Sequence, residues 1–272
     1  VAAARFPRFA DALAPDEVPE PIRLERSRQH DLTATYGSRA VLKTFERLEA
    51  GVHPAVELGR YLTEHTGYDR AVPVLGAVEL RPGHGDPLTM AVLYGYVPNE
   101  GTAWQYTLDT LSRFYEGVLA HPLTPPPPAP ADAWLTDEPP SAEARELLGP
   151  YLQTAAALGR DTAAMHRALA AGAGPALAPE PFNKLYQRSV YQGMRTRIGL
   201  VLRDLSRRLP ELPDGLREMG RALLALEGEL NRRCRAVLRP EVTGQRIRVH
   251  GNYHLGELLY TGSGFVVTDF EG

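Results

Sequence analysis

The chain has 272 residues, is 43% hydrophobic and 23% charged, and carries a net charge of −3; this composition is ordinary for a globular protein with a sizeable core and excludes wholesale disorder. The slightly acidic balance argues against a nucleic-acid or anionic-membrane footprint, and no run of ~18 apolar residues marks a transmembrane helix. Cys234 is the single cysteine, which excludes an intramolecular disulfide and a multi-thiolate metal site and fits a reducing, cytoplasmic setting.

Residues 1–21 are rich in Pro and acidic groups and read as a linker. Val1 is not a methionine, and the final VVTDFEG stops on a strand and turn. Both ends are therefore expected to be cut from a longer chain. From 22 to 97 the pattern is rich in strands. TATYGSRAVLKTF predicts a hairpin around Tyr36-Gly37-Ser38. Residues 53–65 place Val56, Leu58, Tyr61 and Leu62 at helical spacing, with Pro54 near the start. AVPVLGAVEL and LTMAVLYGYV predict two more strands, joined by RPGHGDP. After Pro98-Asn99-Glu100-Gly101 the period changes. TAWQYTLDTLSRFYEGVLA predicts an amphipathic helix with Trp104, Leu108, Leu111 and Tyr115 on its apolar face. HPLTPPPPAPADAW, residues 121–134, reads as a polyproline-like loop. Three long helical patterns follow, at 141–171, 183–208 and 213–237. The tail returns to strands in QRIRVHGNY, ELLYTG and FVVTDF.

The tail also carries the clearest chemistry. His250-Gly251-Asn252-Tyr253-His254-Leu255-Gly256-Glu257 follows an apolar-alternating stretch, and Asp269-Phe270-Glu271 ends another. Kinases need a loop residue at the acceptor hydroxyl, a metal ligand five residues on, and a strand-end Asp that holds Mg²⁺ on the nucleotide phosphates. Asn252, Glu257 and Asp269 occupy those three slots. The other reading is a buried His and polar residues closing a hairpin. Upstream, Lys43 sits in the strand AVLKTF and Glu57 in the next helix. Such a pair can be a plain surface salt bridge. In the order hairpin, Lys, helix Glu, two strands, hinge, helices, loop, Asp, it is instead the second half of a kinase site. Gly95, Tyr96 and Val97 then lie where a hinge offers backbone groups to adenine.

These stretches together resemble the bacterial maltokinase family, either free-standing or as the C-terminal half of a trehalose synthase–maltokinase fusion. The resemblance rests on GSRAVLKTFERLEAGVHPAVELGRYLTE, VPVLGAVEL, LYGYVPNEGTAWQYTLDTL, LYQRSVYQGMR and, most specifically, RIRVHGNYHLGELLYTGSGFVVTDFEG. It implies an α+β, two-lobed protein-kinase-like fold: a remnant of a cap region at 1–21, a small β-rich N-lobe at 22–97 and a larger, mainly helical C-lobe at 98–272. It implies transfer of the ATP γ-phosphate to the anomeric hydroxyl of maltose, giving maltose 1-phosphate. ATP and Mg²⁺ are the implied cofactors, and a fused or associated trehalose synthase domain is the implied partner. Lys43 and Glu57 become the phosphate-side pair, and Gly95, Tyr96 and Val97 the nucleotide hinge. Glu257 and Asp269 become the metal positions, and Asn252 and His250 the catalytic loop positions.

The chain departs from that family at the loop, which there usually reads HGDYHLGQ. Here Asn252 replaces the Asp and Glu257 replaces the Gln. An amide cannot take a proton, and a positioned base contributes ~10²–10⁴ in rate. Weakened transfer is the expectation, since phosphoryl transfer leans mostly on positioning and charge neutralisation. The alternatives are a non-catalytic kinase-like module of a synthase fusion and a related small-molecule kinase with another acceptor. The loop expected over the phosphates, His30-Asp31-Leu32-Thr33, also carries an unusual acidic residue.

Overall fold

The computed structural model describes residues 1–14, 23–26, 32–120 and 142–272. Most of the Pro-rich segment's neighbourhood, all of 121–134, and His30 and Asp31 lie outside them. In chain order the elements are β1 (Ala2–Arg5), α1 (Phe9–Ala12), β2 (Arg23–Arg26), β3 (Leu32–Tyr36), β4 (Ala40–Thr44), α2 (Pro54–His65), β5 (Val74–Leu80), β6 (Leu88–Gly95) and α3 (Ala103–Ala120). There follow α4 (Ala142–Leu148), α5 (Pro150–Ala170), β7 (Glu180–Pro181), α6 (Lys184–Arg208), α7 (Asp214–Ala225), α8 (Glu227–Cys234), β8 (Gln245–Arg246), β9 (Leu258–Tyr260) and β10 (Phe265–Val267).

Six strands form one antiparallel sheet in the order β1-β5-β6-β4-β3-β2. The hairpin expected around Gly37 is β3–β4, and Gly37 takes the left-handed φ of +57° that its tight turn requires. β5 and β6 lie in the middle of the sheet and are apolar on both faces, as a doubly covered strand must be. Val74 and Val92 are fully buried in a cluster with Ala55, Val56, Ala77 and Val266. Helix α2 starts at Pro54, whose missing N–H costs nothing in a first turn, and His53 Nδ1 caps it by accepting from the Ala55 N–H at 3.2 Å. Leu58 and Leu62 are buried on its inner face. Gly59 lets the helix approach β5, because a Cβ there would lie 2.7 Å from Val74 Cγ2.

Residues 2–5 differ from the linker expectation. They form β1, which pairs with Gly76–Glu79 on β5 and covers the sheet edge. The small side chains of AAAR fit a strand as well as a linker, and only the partner strand decides between them.

Helix α3 forms as expected, but a different face turns inward. Trp104, Leu108, Leu111 and Tyr115 are exposed. Ala103 is fully buried instead, and Tyr106 stacks on Tyr260 at 4.3 Å. Tyr106 also meets Tyr151 at 5.9 Å, so aromatic contacts with β9 and α5 orient the helix. The stretch QRIRVHGNY is also not one strand: only Gln245–Arg246 pairs, and residues 247–254 run as a loop.

The described chain divides into two compact units. Val1–Gly172 with Arg248–Gly272 forms one, and Ala173–Ile247 the other. The second unit holds α6–α8, with Gln187 buried among them and donating to the carbonyls of Val237 and Pro240. The first holds the sheet, α2–α5 and the β9–β10 hairpin. That hairpin is tied to the chain entering β5: Val72 N–H donates to the Val267 carbonyl at 2.9 Å, and Val267 N–H to the Arg70 carbonyl at 2.8 Å. These bonds join β10 to residues 70–72, which lead into β5. No helix among the described residues is long and apolar enough to cross a membrane.

Candidate active site

Lys43 points from β4 toward the end of β10. Its Nζ lies 3.1 Å from Asp269 Oδ2, with both side chains largely buried. Asp269 is the one non-glycine among the described residues with a left-handed backbone, at φ +58°. Asp tolerates that region better than most residues, but the conformation still stores strain of the kind that collects at functional sites. Glu257, at the start of β9, is close enough to feel that carboxylate. Burial and then the Asp269 charge push the Glu257 carboxyl up to about 7. Two carboxyls crowded beside one lysine are a hard-oxygen site, suited to a divalent cation.

Tyr94, on β6, borders the same group. Its hydroxyl is buried. Burial first, and then the Asp269 and Glu257 charges, hold its pKa well above the usual tyrosine value. Among the described residues no three His, Cys, Asp or Glu side chains converge as a metal cage. Glu257 and Asp269 can therefore hold Mg²⁺ only with other oxygens completing its shell, which is the usual arrangement where phosphates share the ion.

Glu57 and Lys43 form separate ion pairs. Among the described residues the Glu57 carboxylate pairs with Arg248 Nη1 at 2.8 Å, while Lys43 pairs with Asp269. Arg248 lies two residues before His250 in the tail, and no local signal marks it as the partner of a helix 191 positions earlier in the chain. The pair joins α2 to the loop that follows β8.

The loop itself is built on His250, which is 1% exposed. Its Nε2 is 2.7 Å from the Thr268 carbonyl, and its Nδ1 is 3.4 Å from the Asn252 N–H. Those partners assign the proton to Nε2, which donates, and leave Nδ1 to accept. Burial lowers the His250 pKa and keeps the ring neutral. His250 is thus an anchor of the loop, with both ring nitrogens engaged. Its carbonyl also accepts from the N–H groups of Glu271 at 2.7 Å and Gly272 at 3.1 Å. Gly251 makes that contact possible: its φ is +89°, and a Cβ would lie 2.6 Å from Gly272 N. Asn252 then directs its Nδ2 at Glu271 Oε1, 3.3 Å away. His254 caps the next turn, with Nδ1 accepting from the Gly256 N–H at 3.0 Å and Nε2 3.4 Å from Glu257.

The hinge residues divide. The Gly95 N–H donates to the Pro73 carbonyl at 2.8 Å and the Tyr96 N–H to the Arg39 carbonyl at 2.9 Å. The Val97 carbonyl is taken by Asn99 Nδ2 at 2.8 Å. A cleft of about 820 Å³ opens beside Lys43 and Asp269, with Phe45, His53 and Glu271 also on its wall. Phe45 and His53 stack there at 4.0 Å. Sequence reasoning missed Arg248, Tyr94 and Glu271 as parts of this site. Glu271 alone had a local signal, being two residues beyond the strand-end Asp.

The fold is similar to that of solved glucosamine kinase structures. A glucosamine kinase matches with 22% identity over 100% of this chain and 52% of its own, at a TM-score of 0.62. A second crystal form matches with 21% identity over 100% and 51%, at 0.59. A glucosamine kinase in complex with glucosamine, ADP and inorganic phosphate matches with 22% identity over 97% and 55%, at 0.58. The chain spans about half the length of these structures. No protein-family model matches the sequence. The fold is therefore kinase-like and α+β, with the six-stranded antiparallel sheet beside helices.

Proposed function

We propose that the chain is the phosphotransferase part of a sugar kinase, with ATP as donor and the anomeric hydroxyl of maltose as acceptor. The observation that carries the reading is the 3.1 Å Lys43–Asp269 pair with the Glu257 carboxyl beside it. Lys43 neutralises phosphate charge in this reading. Asp269 and Glu257 would hold Mg²⁺, which would supply charge neutralisation at the transferred phosphoryl group. The adenine edge meets the hinge backbone over Gly95, Tyr96 and Val97, with the Gly95 and Tyr96 N–H groups and the Val97 carbonyl already engaged within the chain. The functional lobes are 22–97 and 98–272, in a cytoplasmic protein that acts alone or with a trehalose synthase domain.

A neighbour bound to glucosamine, ADP and phosphate supports a sugar acceptor and nucleotide use. Maltose as the acceptor rests on the tail stretch that resembles maltokinases. Asn252 favours a second reading, a kinase-like module that binds nucleotide without turnover. The test is ³¹P NMR of Mg-ATP with maltose, and separately with glucosamine, other hexoses and aminoglycosides. A maltose 1-phosphate signal is expected. Turnover of glucosamine alone would move the acceptor assignment, and nucleotide binding with no sugar phosphate from any acceptor would favour the module.

A further inference from the structure

The proposed reaction needs somewhere for the acceptor proton to go, and the loop position that ordinarily takes it holds an amide. We propose that Glu271 is the catalytic base of this chain, and that Asn252 aims it. This rests on the kinase reading and assigns the proton within it.

Three observations converge on Glu271. Its backbone N–H is held at 2.7 Å by the His250 carbonyl, so it is fixed to the root of the loop. The contact is tight, because at Gly251 even a Cβ would collide with the Glu271–Gly272 peptide. Its carboxylate accepts from Asn252 Nδ2 at 3.3 Å, and it lies on the wall of the cleft beside Lys43 and Asp269. The carboxylate missing from position 252 is thus present one hydrogen bond away, on a residue anchored to the same loop.

The chemistry follows from that geometry. Asn252 spends an amide N–H on one oxygen of Glu271 and so orients the carboxylate toward the acceptor hydroxyl. The other lone pairs of the Glu271 carboxylate take the proton. As the acceptor oxygen forms its bond to the γ-phosphorus, the bond from that phosphorus to the β–γ bridging oxygen breaks and ADP leaves with the electron pair. The acceptor O–H proton passes to Glu271 and then to water. Asp at 252 would make this carboxylate redundant and would place two negative charges side by side.

The test is a set of steady-state measurements with the parent, Glu271→Gln, Asn252→Asp, the double variant Asn252→Asp/Glu271→Gln, and Asn252→Ala. Glu271→Gln is expected to lower kcat by about 10²-fold or more, within the range for loss of a positioned base, while KM for ATP stays within about threefold. Asn252→Asp/Glu271→Gln is expected to recover most of that loss, because the carboxylate returns on the neighbouring residue. Asn252→Ala, which frees Glu271 without removing it, should cost roughly tenfold; this variant keeps the proposal testable if the Gln variant folds poorly. Glu271→Gln turning over within threefold of the parent would overturn the proposal. So would an inactive parent beside an active Asn252→Asp, an outcome that leaves the kinase reading standing. Inactivity of both across the sugar panel would overturn the kinase reading and this assignment with it.

Discussion

Three histidines near the site perform the same local task. His53, His250 and His254 each use Nδ1 to accept from the backbone N–H two residues on, at 3.2, 3.4 and 3.0 Å. The pattern requires that ring nitrogen to be unprotonated. For His250 the consequence is a pH dependence. Its folded pKa is lowered from 6.5, chiefly by burial, so below the unfolded value the unfolded chain binds the extra proton. Stability is therefore full above pH 6.5 and is lost as pH falls through that value toward the folded pKa. Melting temperatures measured from pH 8 to 5 should fall over the acid half, and His250→Asn should flatten that fall while lowering the melting temperature throughout. Lys43 invites a second prediction. Lys43→Met removes the one cation ion-paired to Asp269 among the described residues. On the kinase reading proposed above, sugar phosphorylation should drop by about 10²–10³, the usual cost of losing a preorganised charge partner. Weakened Mg-ATP binding with an unchanged circular dichroism spectrum would separate this from misfolding.

Between elements, the site depends on two links that join distant parts of the chain. The Glu57–Arg248 pair connects α2 to the loop, with both groups partly exposed. A double-mutant cycle with Glu57→Ala and Arg248→Ala, read by urea denaturation, should give a coupling of about 0.5–2 kcal/mol. A value of zero would show that this pair contributes nothing to holding the loop. Gly251 is the second link. Gly251→Ala adds a Cβ 2.6 Å from backbone at a left-handed φ, and it should cost ~2 kcal/mol or more through strain and displacement of Glu271. In the account of Glu271 above, that displacement should also lower kcat.

Across the whole molecule, stability is expected to be uneven. β5 and β6 are paired on both sides and carry the fully buried Val74 and Val92, while β2 is an edge strand with exposed residues. Amide exchange should be slowest in β5 and β6 and fastest in β2. Equal protection across the sheet would mean that the edge is covered more completely than its exposure indicates. The likeness to glucosamine kinases extends over the full chain at about one-fifth identity, the level at which a backbone plan persists while side chains diverge.

The sequence by itself determined the order and type of most elements. The β3–β4 hairpin, α2, β5, β6, α3 and the β9–β10 hairpin follow from turn residues, caps and periodicity, which are local and can be read within a few residues. It also singled out Lys43, Glu257 and Asp269, which the fold brings into one cluster. Only the tertiary structure decided the partners. Glu57 faces Arg248, Asn252 faces Glu271, and the buried Tyr94 hydroxyl faces the carboxylates, since each contact is set by how separate segments meet. The inner face of α3 was decided the same way: its apolar pattern allows more than one orientation, and the rings of Tyr260 and Tyr151 select the one that buries Tyr106 side. Local propensity has no term for a neighbour distant in sequence, whereas packing depends on nothing else.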